Sequence, residues 1–331
     1  MPKSLVTGGA GFIGSHLTDE LIAMGHDVVV LDDLSGGFRD NVHPQAYFVQ
    51  GSILDHELLD ELFCIHRFDY VYHLAAYAAE GLSHFIKRFN YHNNLIGSVN
   101  LINAAVNLGS VKCFVFTSSI AVYGKNQLPM VEDLTPFPED PYGIAKFAVE
   151  QDLRESYEVF GLPYIIFRPH NVYGERQNIG DKYRNVIGIF MNRILRGETL
   201  PVFGNGEQTR AFSYIADVTP IIARSVDHLE AYQQIFNIGA DKPCSVNQLI
   251  EVISKVMGAS PQVEYLPSRK EAVHAYSSHV KVKQYFGDLI QNVPLEAGIC
   301  RMAEWVRKHG GRESRGFSHI EVGKGLPPSW A

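Results

Sequence analysis

Thr7-Gly8-Gly9-Ala10-Gly11-Phe12-Ile13-Gly14 is the stretch on which the fold turns. It follows Ser4-Leu5-Val6-Thr7, an apolar run suited to a buried strand. It opens a helical pattern over residues 12–24, where Ile13, Leu17, Leu21 and Ile22 share one face and Gly25 stops the helix. Strand, glycines and helix in that order fit a dinucleotide diphosphate. A side chain at Gly8 would block the tight turn, one at Gly11 would hold the backbone off the diphosphate, and one at Gly14 would push helix from strand. The helix start then turns unpaired N–H groups toward the anion.

Working outward, Val28-Val29-Val30-Leu31 reads as the next strand and runs into Asp32, where a ribose-binding acid belongs. A carboxylate accepts hydrogen bonds from a free 2′-hydroxyl and repels a 2′-phosphate, so the pattern favours NAD over NADP, with Asp32 as reader. Asp33 beside it is a second contact candidate or a solvated turn residue. Strand patterns at 47–49, 70–74, 112–117 and 164–167 alternate with helical ones at 56–64 and 94–107. This alternation predicts an α/β fold, a Rossmann-type doubly wound parallel sheet with a smaller α/β C-terminal substrate lobe. Residues 1–167 form the expected cofactor domain, with 214–238 returning to it. Residues 168–213 and 239–309 form the lobe, including helices at 186–195, 246–257 and 295–309. The Gly-, Ser- and Pro-rich stretch 310–331 reads as a loose tail.

Composition narrows the function. The 331 residues are 46% apolar and 20% charged, ordinary globular values that exclude disorder and coiled coil. Lysines and arginines number 29 against 36 acids, a net charge of −7 with no basic stripe, which argues against a nucleic-acid partner. Cys64, Cys113, Cys244 and Cys300 lie far apart without ligand spacing, and no HExxH occurs, so neither a disulfide framework nor a metal site is expected. No window approaches a membrane span, and glycines interrupt the N-terminal apolar stretch too early for a secretory core, so a cytoplasmic protein without membrane contact is expected.

Proton transfer needs further groups. Tyr142 and Lys146 stand four residues apart, on one helix face. A free phenol with a pKa near 10 is a poor base at neutral pH, and lowering it by roughly three units takes about 4 kcal/mol, which a nearby ammonium and a positive nicotinamide together can supply. Upstream, the strand ending Thr117-Ser118-Ser119 places hydroxyls at the carboxyl end of a parallel strand, where such folds hold ligands. Ser119 is the candidate to share a substrate hydroxyl with Tyr142, completing a Ser–Tyr–Lys set.

These motifs, with His73-Leu74-Ala75-Ala76, Asn94-Leu95-Ile96-Gly97, Ser118 to Gly124, Arg168 to Gly174, Val202 to Arg210 and Tyr214 to Asp217, resemble in order the landmarks of the extended short-chain dehydrogenase/reductase family. The resemblance runs over about residues 4–309 and is strongest to the NAD-dependent nucleotide-sugar epimerase and dehydratase group, its UDP-hexose 4-epimerases in particular. It implies tightly held NAD, Tyr142 as base and Lys146 on the nicotinamide ribose. Leu74, Ala75, Ala76 and Asn94 match positions lining the NAD groove, joined as cofactor contacts by Phe12, Ile13, Ser52, Ile53 and Thr117. Asn171, Arg210 and Arg269 match residues that hold the nucleotide diphosphate, a task suited to a guanidinium fork.

Within that group the residues after the serine separate the reactions. Dehydratases carry an Asp-Glu pair there and decarboxylases a Glu, whereas this chain has Ile120 and Ala121, which transfer no proton. A 4-epimerase acting through a transient 4-keto sugar needs no further acid, and that is the expected activity. The alternatives are a 4,6-dehydratase, a uronate decarboxylase, a reductase, or a non-catalytic NAD-binding scaffold. Ala78, Ala211 and Ser52 depart from the epimerase pattern. His170 either faces the sugar or is a structural histidine, and Tyr276 falls where some epimerases gate the sugar 2-substituent. The resemblance also implies a homodimer through residues 147–160 and 95–108, which carry apolar residues on more than one face.

Overall fold

The computed structural model describes residues 1–181, 183–268, 272–312, 319–327 and 330. Its centre is a seven-stranded sheet: β1 Lys3–Thr7, β2 Asp27–Asp32, β3 Tyr47–Gln50, β4 Tyr70–His73, β5 Cys113–Thr117, β6 Tyr164–Pro169, and a seventh strand, Gln234–Ile238. The spatial order is seventh strand, β6, β5, β4, β1, β2, β3, and every pairing is parallel. Strand order therefore reverses between β1 and β4. A parallel sheet covered on both faces needs strands apolar on both sides, and these comply: all five residues of β5, Cys113-Phe114-Val115-Phe116-Thr117, are buried.

Alternate residues feed two cores. Val6, Val28, Val30, Tyr72, Val115 and Phe167 face one side, where Leu17 and Leu21 of the helix Phe12–Ala23 pack. Leu5, Val29, Leu31, Val71, Phe114 and Phe116 face the other, against Leu59 and Phe63 of His56–His66, Leu101 of Gly97–Leu108, and Val149 and Leu153 of Pro141–Phe160. This is the doubly wound α/β arrangement the alternation predicts.

The remaining chain adds a lobe of short strands, Leu200–Phe203 with Val263–Leu266 and Thr209–Ala211 with Pro243–Ser245 and His274–Ala275. Helices Val186–Arg196, Val246–Met257 and Leu295–His309 pack around it. Its Phe190, Leu249 and Met302 are continuous with the first core.

Two expectations change. The helix at 94–107 begins earlier, as Lys87–Tyr91, and passes through a π-helical stretch, His92–Ile96, before Gly97–Leu108. The tail is not loose throughout. Ile320, Leu326 and Trp330 pack on Ala79, Leu82, Phe85, Ile86 and Phe89, because their apolar side chains find a matching apolar patch there.

Candidate active site

A cleft of about 1180 Å³ opens at the carboxyl ends of β1, β4 and β5, beside the strand-order reversal. Its floor is the glycine loop. Gly8 sits at φ 72°, in the left-handed region, and a Cβ there would stand 2.8 Å from the Ala75 backbone nitrogen, so the turn and the close approach both require glycine. A Cβ on Gly14 would meet the Gly8 carbonyl oxygen at 2.2 Å. Gly14 thus makes room for the loop itself, a closer constraint than the helix–strand contact expected. Gly11 caps the helix Phe12–Ala23 without any side-chain acceptor on its first turn, leaving those N–H groups to an anion.

Asp32 ends β2 on the cleft wall. Its Oδ2 accepts from the Ala10 N–H at 3.0 Å and its Oδ1 from Leu34 N–H at 2.8 Å, so it braces the loop as well as facing the cleft. Burial pushes its carboxyl above the usual range, and those backbone N–H groups pull against the shift. Asp33 also lines the cleft and accepts from Ser35 N–H at 2.8 Å, as a turn residue does. Phe12, Ile13, Ser52, Ile53, Leu74, Ala75, Ala76 and Thr117 line the same space.

Asn94 does not. It is 1% exposed, its Oδ1 accepts from Tyr77 N–H at 2.8 Å and its Nδ2 donates to Tyr77 O at 3.1 Å. The π-helical turn places its amide against the segment after β4, where it shapes the wall from behind. Asn93 reaches the cleft instead.

Ser119, Tyr142 and Lys146 come together at the far end. Asp140 caps the helix Pro141–Phe160 by accepting from Gly143 N–H at 2.9 Å, and Pro141 occupies the first turn, fixing where Tyr142 points. Tyr142 is 6% exposed and lines the cleft together with Ser119. Burial pushes the phenol above its ordinary value. The charge of Glu80 raises it further, while the Ser119 hydroxyl and the Arg184 guanidinium lower it. Lys146 Nζ lies 5.9 Å from the Tyr142 ring centroid and donates to Thr117 O at 2.8 Å; burial brings its pKa down to about 7, with Glu150 opposing. The expected acidification of the phenol by Lys146 is thus not the dominant effect in the chain alone, because burial of the phenol itself outweighs it.

Behind this set lies a buried ion pair. Arg168 Nε and Nη2 donate to the two carboxylate oxygens of Glu150 at 2.9 and 2.5 Å, and Ser118 Oγ donates to Glu150 Oε1. Both charged side chains are 2% exposed or less.

At the lobe side, Asn171 and Arg210 line the cleft. Asn171 Nδ2 donates to Ala211 O at 3.1 Å. The Arg210 guanidinium donates to Thr209 O, Val273 O and Ala272 O, which fixes its position. Arg269 lies outside the described residues. His170 lines the cleft, but Nδ1 meets Ala211 O at 3.0 Å and Nε2 meets His279 Nε2 at 3.0 Å, and burial takes its pKa down to about 3: it is a structural histidine. Tyr276 is not on the cleft wall; Ala272 and Ala275 of that segment are. Sequence reasoning missed Glu80, Arg184, Tyr183 and Trp330, all on the wall. Among the described residues no cluster suited to a metal ion occurs, and no helix is long and apolar enough to cross a membrane.

The residues fit a dinucleotide. The glycine cradle would be filled by any Cβ, the first helical turn has no side-chain acceptor, and the buried Thr117 Oγ1 has no partner among the described residues. Fold and site together define a dinucleotide-binding class of protein with a serine, a tyrosine and a lysine gathered at one end of the cleft. Residues 4–239 match the model of the NAD dependent epimerase/dehydratase family. A putative UDP-glucose 4-epimerase of Methanocaldococcus jannaschii is 34% identical over 306 residues, covering 92% of this chain and 98% of that one. A UDP-N-acetyl-alpha-D-glucosaminuronate decarboxylase of Bacillus cytotoxicus is 31% identical over 92% of this chain and 98% of its own. The solved UDP-glucose 4-epimerase of Thermotoga maritima with UDP-glucose superposes with a TM-score of 0.87 at 37% identity, covering 92% of this chain and 99% of that one. The chain belongs to the NAD dependent epimerase/dehydratase family, in the extended short-chain dehydrogenase/reductase group, and its cofactor is NAD.

Proposed function

We propose that the protein is an NAD-dependent UDP-hexose 4-epimerase acting through a transient 4-keto sugar. The observation that carries this is Ser119, Tyr142 and Lys146 lining one cofactor cleft together, with the apolar Ile120 and Ala121 following the serine. Bound NAD supplies a hydride acceptor and then a donor. Gly8, Gly11, Gly14, Asp32, Asp33, Phe12, Ile13, Ser52, Ile53, Leu74, Ala75, Ala76 and Thr117 hold it, with Lys146 on its nicotinamide ribose. Asn171 and Arg210 hold the diphosphate of the substrate. Tyr142 takes the proton of the sugar 4-hydroxyl, Ser119 keeps that oxygen in line, and Tyr142 returns the proton once the keto sugar has turned over. No net oxidation results. Burial alone works against the phenolate, so Tyr142 relies on positive charge: Lys146, Arg184 and the bound nicotinamide.

Proton NMR of UDP-glucose or UDP-galactose with the purified protein and no added NAD tests the reading. Interconversion is expected; a 4-keto-6-deoxy product, or CO₂ from a UDP-uronic acid, would reject it. One observation favours a second reading, an elimination or decarboxylation: Glu80 brings a carboxylate to the cleft near Tyr142 from outside the serine segment. The same NMR experiment separates the two products.

We further infer a homodimer. Ile96, Ile144, Tyr157, Val159 and Phe160 are exposed around the two helices that resemble the family's interface, Val159 and Phe160 at 66%.

A further inference from the structure

We propose that the C-terminal residues 319–327 and 330 form a wall of the sugar end of the cleft, and that Trp330 limits the size of the sugar admitted. The inference rests on the nucleotide-sugar reading above. Residues 310–331 lie beyond the stretch that resembles the family, so its shared chemistry does not account for them.

The segment is held by specific bonds. Glu321 N–H and Val322 N–H both donate to Phe85 O, at 2.8 and 3.1 Å. The Glu321 carboxylate accepts from Arg88 N–H at 2.8 Å and Phe89 N–H at 2.9 Å. That supplies the acceptor which Ile86, the cap of the helix Lys87–Tyr91, lacks. Upstream, Arg312 donates to Asp40 Oδ1 and Asn41 Oδ1, tying the start of the tail to the loop after β2.

Trp330 is 7% exposed and stands edge-on to Phe85 and to Tyr183, with centroids 6.1 and 5.5 Å away. Its outer ring edge would lie 3.0 Å from a Cβ at Gly81. Gly81 adjoins Glu80, whose charge acts on the Tyr142 phenol more strongly than that of any other residue. Gly325, Pro327 and Trp330 line the same cleft as Tyr142 and Ser119. A packed indole is rigid and presents an apolar face with a polar edge, which suits the C–H face of a compact pyranose. Packed against two aromatic rings, it does not yield to a bulky acetamido group.

The chain has two tryptophans, so Trp305→Phe leaves Trp330 as the sole indole reporter. Titration of that variant with UDP-glucose should give a saturable change in its emission, and UDP-glucose turnover should persist. Trp330→Ala, in the otherwise natural chain, should raise KM for UDP-glucose about tenfold with kcat within a few-fold. It should also raise kcat/KM for UDP-N-acetylglucosamine relative to UDP-glucose, with the NAD content unchanged. Trp330→Phe, which keeps an aromatic wall, should fall between if the alanine variant does not fold. Turnover of UDP-glucose with silent Trp330 emission, or an unchanged ratio between the two sugars in both variants, would overturn the wall. Absence of turnover in the unaltered chain with every nucleotide sugar would overturn the underlying epimerase reading and this inference with it, and is distinguished by appearing before any substitution.

Discussion

At the scale of single residues, the proposed chemistry rests on Tyr142. Tyr142→Phe keeps the ring and its packing but removes the proton, so kcat should fall by about 10²–10⁴ while the protein still binds NAD. A loss of bound NAD, or activity within a few-fold of the natural chain, would contradict the role. His73 makes a different prediction. It lies at the end of β4, bonded to Thr7 Oγ1 at 2.7 Å and Ser98 Oγ at 2.8 Å, between the rings of Phe114 and Phe116. Burial, with Lys146 adding to it, lowers its pKa to about 3 from an ordinary 6.5. The folded state therefore resists protonation. Its contribution to stability is full above pH 6.5 and is lost as pH falls from 6.5 toward 3, by about 1.4 kcal/mol per pH unit in that window. Urea titrations at stepped pH should show a shallower acid slope for His73→Gln; an unchanged slope would remove His73 from the account.

At the scale of elements, the helix Pro141–Phe160 does most of the positioning. Tyr142, Lys146 and Glu150 lie along one face of it, and Glu150 joins it to β6 through Arg168. Removing one partner of a buried pair leaves an uncompensated charge, so Glu150→Gln should cost about 3–5 kcal/mol in chemical denaturation. A change under about 1 kcal/mol would mean that water reaches Arg168. This helix also marks how much of the site the sequence discloses. The glycine loop, Asp32 and the Ser–Tyr–Lys set are legible because each sits in a local frame: a turn, a strand end, a helical repeat of four. Glu80, Arg184 and Trp330 come from segments without such a frame and meet only through tertiary packing. Asn94 reads as a residue lining the NAD groove, but the π-helical turn that aims its amide at Tyr77 leaves no periodic mark in the sequence. Tyr276 follows the end of the strand His274–Ala275, one residue past the cleft-lining Ala275, and on extended backbone one residue changes the face.

For the whole molecule, sheet topology sets the division of labour. The order reversal between β1 and β4 opens the cleft, the carboxyl ends of β1, β2, β4 and β5 line it, and Asn171 and Arg210 line its other side. Sedimentation velocity should give a dimer, and Phe160→Asp should shift it toward monomer; a natural chain monomeric at micromolar concentration would remove the proposed helix-pair interface. The central claim is that one hydrogen leaves sugar C4 and the same hydrogen comes back to its other face. The most direct measurement is NMR of UDP-glucose carrying deuterium at C4, incubated with the protein in ordinary water and no added NAD. UDP-galactose with the deuterium still at C4 is the expected product. Protium at C4, or label appearing at C6 of a deoxy sugar, would contradict the account.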